Sequence, residues 1–395
     1  MVDRGRWALA SGRRGATTMR PQWGQVDTMG DAISVALSCD PTVEALADLL
    51  RPALGLDPRG EPPQVDAAMV EFARSRHRVG PLLHLAARRA DPERVDEAAA
   101  RALTGLYRNN AKRTLTQRAA LTDATALLEA HGIASVAIKG AQLGEQLYGD
   151  SAARHAKDID ILIAPADARA ACDVMRAAGY LHCFDIGAMR SRWPAWRMRV
   201  LKDTGFDEPG TGRTIELHQR LFPIEPRTLT PDFISATRDE TVASIANNHY
   251  VLYLILHGAM GYWPRLKWLA DLSALLRTVD DDRVAALRSL AESYECTPAI
   301  LASLRLVEEV FAGSLHDAWK DWVEDQGSHA AAQRLVVAYR ASLCGSDPAA
   351  PSQPLRKDSF PTASWHVFAG AIPRPSILAR RVAMASLTQF ERLLQ

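Results

Sequence analysis

The stretch "DIDILIA", residues 158–164, limits what this chain can become more than any other. Acid and aliphatic residues alternate with period two, so it reads as a strand with two unlike faces. Ile159, Ile161 and Ile163 go to a core, and Asp158 and Asp160 leave from the opposite side. Carboxylates about 5 Å apart repel by roughly 3 kcal/mol at an effective dielectric near 20. Such a pair calls for a cation. Mg²⁺ fits, as a hard ion held by one or two carboxylates together with substrate phosphates. Two such ions clamp the attacking and leaving oxygens of an in-line phosphoryl displacement. A solvated strand end is the plain alternative.

The flanking pattern supplies a small α/β unit. "IASVAIK" is a β-branched strand closed by Lys139-Gly140, and "AQLGEQLYG" is a short helix. "ADARAACDVMRAAGY" is a second helix ending at Gly179, and "RMRVLKD" and "TIELHQRL" are strands around the turn "EPGTG". On both sides the apolar spacing is helical. Asp40-Pro41 opens one helix, a break falls at Gly80-Pro81, and Leu121, Ala124 and Leu128 mark one face of a long segment that ends at His131-Gly132. The expected fold class is therefore α+β and predominantly helical, a small mixed-sheet core flanked by N- and C-terminal helical regions. Residues 1–30 read as a disordered basic tail or an over-extended start, 31–130 as the first helical region, 131–228 as the α/β core and 229–395 as the second helical region. The last of these holds a Pro-rich loop at 345–376 and a closing amphipathic helix at 376–393.

Composition removes several function classes. A formal net charge of +1 provides no whole-molecule field for nucleic acid or anionic membrane. The five cysteines are scattered without a C-x-x-C pair, which suits a reducing cytosol better than a disulfide framework. The most apolar run, residues 250–263, is too short to span a bilayer and is interrupted by His257. The motifs of α/β-hydrolases, zincins, P-loop proteins and Rossmann enzymes do not occur.

In order, "AIKGAQLGEQLYG", Arg154, "DIDILI", "AAGY", "IELH", "HGA" and "RLKWLADLSALL" resemble the uncharacterised nucleotidyltransferase family of the polymerase-β-like superfamily, over roughly residues 70–280. The resemblance implies that Gly140 approaches a triphosphate, that Asp158 and Asp160 are the first two metal-binding acids, and that Glu216 is the third. Glu216 also lies in an apolar-acid alternation that reads as a strand with one charged face. Asp203 and Asp207 compete with it. The superfamily usually carries Gly-Ser at the turn, and this chain carries Lys139-Gly140. Lys139 is placed to meet a phosphate as a point charge. Arg154 has two readings, a triphosphate contact or a counter-ion for Asp158.

Further candidates flank this set. His218 shares the strand face of Glu216. His257 reads as a core histidine, and a transition-metal site of His218, His257 and Glu216 is the less favoured alternative. Arg265 could reach the nucleotide from the second helical region, where Lys267 and Asp271 are spaced as an i,i+4 ion pair and Trp268 and Leu272 fit a core stripe. Residues 189–202 interleave arginines with Trp193 and Trp196, a mix that suits plain packing, an acidic acceptor or, least, a single nucleic-acid strand. The expected activity is cytoplasmic, Mg²⁺-dependent (Mn²⁺ as substitute) transfer of a nucleoside monophosphate from an NTP, ATP first. The resemblance points to a peptide or small-molecule acceptor, as in natural product biosynthesis, with nucleic acid ranked below. The alternatives are kinase-type γ-phosphoryl transfer, a toxin-like or tRNA-modifying transferase, and a silent binding module.

Overall fold

The computed structural model describes residues 40–182, 202–211, 213–326, 329–347 and 350–354. The basic tail, most of the Arg/Trp stretch and the closing helix lie outside these residues. Helix α1 (Pro41–Leu50) begins as its sequence demands, with the Asp40 side chain accepting from the Thr42 amide at 2.9 Å and Pro41 in the first turn. Helix α2 (Ala67–Phe72) continues into a π turn, 73–77, and stops at Arg78, whose φ is +56°. Helix α3 (Gly80–Ala87) then starts at the Gly-Pro break.

Helix α4 (Glu97–Ala130) is 34 residues long, about 51 Å at 1.5 Å per residue. Its two halves serve different cores. Ala99 and Leu103 join the large cluster formed with α1 and α3, whereas Ala120, Leu121, Ala124 and Leu128 join a second cluster beneath the sheet.

The sheet contains β1 (Ser135–Ala137), β2 (Ile159–Ile163), β3 (Leu181–His182), β4 (Asp203–Asp207) and β5 (Thr214–His218), in the order β1-β2-β5-β4-β3. Only the β2–β5 pair is parallel; the others are antiparallel. Helix α5 (Ala141–Tyr148) links β1 to the approach of β2, and α6 (Ala168–Ala177) follows β2. Period-two alternation divides β2 between the two cores. Ile159, Ile161 and Ile163 pack with Ile215, Leu217, Met175 and the second half of α4, while Leu162 packs with Val136, Ile138 and Leu143 in the large cluster.

β4 runs from Asp203 to Asp207 and leads into the turn, while residues 197–201 of the strand expected on "RMRVLKD" lie outside the described residues. One strand differs from expectation, since β5 ends at His218 rather than continuing through Leu221. The remaining helices are α7 (Leu229–Ala236), α8 (Asn248–Met260), α9 (Leu266–Leu276), α10 (Asp281–Ser293), α11 (Thr297–Val310), α12 (Asp317–Asp325) and α13 (Ala330–Cys344). Leu252, Leu256, Leu269 and Leu301 from this region share the large cluster with α1, α3 and β1. Within the Pro-rich segment, Ser346–Asp347 and Ala350–Pro354 pair as an antiparallel hairpin, so that part is not the loop its prolines suggest. The architecture is α+β and predominantly helical.

Candidate active site

Parallel register places Asp160 of β2 beside Glu216 of β5. Directly opposed strand residues share a face, so both carboxylates leave the sheet on the same side. Asp158 precedes them by one pleat, and His218 follows Glu216 by one. On the far side of β5, Gly205 is opposite Glu216 and Asp203 is opposite His218. Gly205 adds no side chain there. Asp203 is held by Lys202 at 2.6 Å, and Asp207 accepts from the Thr214 hydroxyl at 2.9 Å at the other end of the strand.

Asp160 is the floor of the cluster, only 8% exposed. Its Oδ1 meets Lys139 Nζ at 3.1 Å and His218 Nε2 at 2.9 Å, and the same imidazole nitrogen lies 3.3 Å from Glu216 Oε2. Burial alone would raise the Asp160 carboxyl, but Lys139 and His218 outweigh it and hold the group well below the usual carboxylate range. Asp158 moves the other way. Burial, then Glu216 and Asp160, raise its carboxyl against the pull of Lys157 at 3.5 Å. Ligand atoms of Asp160, Glu216 and His218 lie within 4.8 Å of one another. Two carboxylates fit a hard divalent ion, and the imidazole extends the set toward Mn²⁺ and other transition metals. His257 is not in this group. It packs on the Tyr253 and Trp268 rings, and burial, with Lys139 and Lys202 adding, keeps its imidazole neutral.

The turn between β1 and α5 is fixed by backbone geometry and by an ion pair. Gly140 has φ +101° and ψ −145°, a region that side chains other than hydrogen rarely enter. Arg154, 5% exposed, donates from Nη1 to the Gly140 carbonyl at 3.0 Å and from Nε to Asp271 on α9 at 2.9 Å. Tyr148 donates its hydroxyl to the other oxygen of Asp271, also at 2.9 Å. The partner of Arg154 is thus Asp271, not Asp158. This also displaces the expected Lys267–Asp271 pair. Arg265 spends its Nε on the Arg76 carbonyl at 3.3 Å. Lys139, Arg154, His257, Trp263, Trp268 and Asp271 line a cavity of about 20 Å³, room for roughly one water molecule. Its wall explains Gly258, where a Cβ would come within 2.2 Å of the Trp263 ring.

An acid pair on adjacent strands, a glycine turn beside it and helices behind the turn are the parts the sequence resemblance requires. The uncharacterised nucleotidyltransferase family matches residues 68–312, well over half of the chain, including the whole sheet and its helices through α11. The chain belongs to that family. It is a nucleotidyltransferase. No curated protein and no solved structure matches it. Among the described residues, none of the enzyme's helices is long and apolar enough to cross a membrane.

Sequence reading missed one supporting element of this nucleotidyltransferase. The segment 150–157, which delivers the acid strand, is fastened along α4 by a row of polar side chains. Tyr107 donates to Asp150 at 2.7 Å, and Asn110 donates to the carbonyls of Ala152 and Arg154 at 2.8 and 2.9 Å. Arg113 bonds His155 Nε2 at 3.0 Å, and Gln117 donates to the Lys157 carbonyl at 2.8 Å. A signal was present: Asn110, Thr114 and Gln117 continue the stripe of Leu121, Ala124 and Leu128 at helical spacing, and all three are buried. Polar residues at core positions of a helix mark a backbone segment that needs partners.

Proposed function

We propose that this enzyme is a divalent-metal-dependent nucleotidyltransferase that moves a nucleoside monophosphate from an NTP, ATP first, to a hydroxyl of a peptide or small molecule and releases pyrophosphate. The observation that carries the reading is the register of Asp160 against Glu216 on one face, next to the Gly140 turn. Asp160 and Glu216, with Asp158 beside them, would hold Mg²⁺ or Mn²⁺. When bound, the ion would neutralise phosphate charge and lower the pKa of the acceptor hydroxyl. Asp160 anchors the site from below. Asp158 and Glu216, whose side chains are about one-third exposed, stand toward solvent, where an acceptor proton can be taken up. Lys139, paired with Asp160 in this structure, is within reach of a neighbouring phosphate once a metal shares its carboxylate. The pyrophosphate leaves as the acceptor oxygen bonds to the α-phosphorus. We place the reaction in the cytoplasm.

The test is a melting series with ATP, GTP, CTP and UTP, each with and without Mg²⁺ or Mn²⁺, on the wild type and on Asp160→Asn. A ligand at 100 times its Kd adds about 2.7 kcal/mol. A metal-dependent rise for one nucleotide, absent in the variant, supports the reading. No rise with any of them defeats it. Product analysis then separates the two chemistries, since pyrophosphate marks nucleotidyl transfer and a nucleoside diphosphate marks the kinase alternative.

A further inference from the structure

Behind the Gly140 turn, cations gather without enough acids to balance them. Three fastenings bring them together. The turn 76–78 is tied to the start of α9, with the Leu266 amide donating to His77 Nδ1 at 3.1 Å and Arg265 donating to the Arg76 carbonyl. The loop before β2 is tied to the same helix through Arg154 and Asp271. Arg113 of α4 closes the third side on His155 at 3.0 Å. Arg113 therefore touches His155, and Arg78 and Lys267 lie near enough to act on it electrostatically, all four being partly buried.

The charge count is lopsided. Asp271 acts on Lys267, but it already carries Arg154 and the Tyr148 hydroxyl. Among the described residues, neither Arg78 nor Lys267 makes an ion pair. Burial and the neighbouring cations both disfavour the protonated forms of Lys267 and His155. Burial first, then Arg154, Lys139 and Arg78, push the Lys267 ammonium well below its ordinary range. Burial, then Lys267, Arg113 and Arg78, push His155 down to about 3. Unpaired cations held in partly buried positions are costly unless a ligand supplies the missing charge.

We propose that Arg78, Arg113, His155 and Lys267 form a subsite for a phosphate group, one that binds polyphosphate without the help of the carboxylate cluster. Two guanidinium groups and an ammonium match the several oxygens of a phosphate, with Arg offering paired donors and Lys a point charge. His155, held neutral and accepting from Arg113 at Nε2, has its buried Nδ1–H left to offer rather than charge. Lys267 lies in the first turn of α9, where the helix dipole also favours an anion. The phosphate comes either from the terminal groups of the nucleotide or from a phosphorylated acceptor.

Calorimetric titration of the full chain with inorganic tripolyphosphate, in EDTA, tests this. The wild type should bind. Lys267→Gln and Arg78→Gln should each weaken binding roughly tenfold or more, and Arg288→Gln, at a surface cation of α10, should leave it within about twofold. Arg78 is the safer variant for folding because it lies in a turn. Absence of wild-type binding overturns the subsite, as does equal loss in Arg288→Gln, or undiminished binding in both subsite variants. Repeating the titration with saturating ATP and Mg²⁺ separates the sources. Competition assigns the phosphate to the nucleotide, and simultaneous binding assigns it to the acceptor. Tripolyphosphate binding that follows this pattern while no nucleotide binds would sink the transferase reading and leave the subsite standing.

Discussion

Lys139 Nζ stands 3.1 Å from Asp160 Oδ1, and each side chain is only 11% exposed. Removing one partner from a nearly buried pair strands the other. Asp160→Asn should therefore destabilise the fold by about 3 kcal/mol, although it also ends metal-dependent transfer. Glu216→Gln, at a side chain 32% exposed, should end transfer with little loss of stability. The double variant Lys139→Met/Asp160→Asn should recover most of the stability and none of the activity. Urea melts and a transfer assay on the wild type, these three variants and Lys139→Met check this; additive stability losses in the Lys139/Asp160 cycle would show that the pair is not coupled.

Arg154 joins Asp271 to the Gly140 carbonyl through two different nitrogens. A lysine has one nitrogen on a flexible stem and cannot span both contacts in one geometry. We expect Arg154→Lys to lose about 2 kcal/mol and Arg154→Ala about 4 kcal/mol. Both should raise the KM for nucleotide through the turn. Chemical denaturation and steady-state kinetics are the measurements, and an unchanged KM in a folded Arg154→Lys protein would dismiss the link to the turn.

Gly140 has room for a methyl group, since a Cβ there would find nothing closer than Gln142 Oε1 at 3.4 Å. The obstacle to Gly140→Ala is the backbone angle, so the expected loss is about 1–3 kcal/mol of stability or a relaxed turn that lowers kcat. A crystal structure of the variant distinguishes the two outcomes; an unmoved turn with full stability and activity would contradict the strain.

His77 accepts from the Leu266 amide in a fully buried position, and burial, with Arg76 and Arg265 adding, pushes its pKa down to about 3 from 6.5. Above pH 6.5 neither the folded nor the unfolded state holds the extra proton. Between 6.5 and 3 the unfolded state takes it up and the folded state does not. Stability should thus fall on acidification through this window, with His77 contributing about 1.4 kcal/mol per pH unit. His77→Asn keeps an acceptor that does not titrate and should flatten the decline by that share. Urea midpoints at pH 7, 6 and 5 decide it, and parallel slopes for the two proteins would refute it.

What the sequence reveals of this site is what local periodicity can carry. Alternation in β2 and β5 places Asp160 and Glu216 on a common face because a strand's side-chain period is fixed by its backbone. The partner of Arg154 was invisible for the opposite reason. Asp271 lies 117 positions away, and the apparent local mate of Asp271, Lys267, is outcompeted by a guanidinium with better geometry. β4 is hard to read because "DTGFD" has two aspartates and a glycine, residues poor in β propensity, and it owes its extension to ladder bonds with β5. The polar stripe of α4 does not stand out in an apolar periodicity, because Asn110, Thr114 and Gln117 are buried through hydrogen bonding and packing rather than through hydrophobicity.

That helix carries a further consequence. One end of α4 is keyed into the large core, the other into the core beneath the sheet, and the middle grips the segment leading to Asp158 and Asp160. A residue inserted near its midpoint would turn one half about 100° against the other. Both ends could not then mesh, much as a shaft cut and rejoined out of phase cannot drive two gears. The rotational phase of α4 is in this sense the timing mark of the enzyme, and homologous chains should vary in the loops at its ends while keeping its residue count.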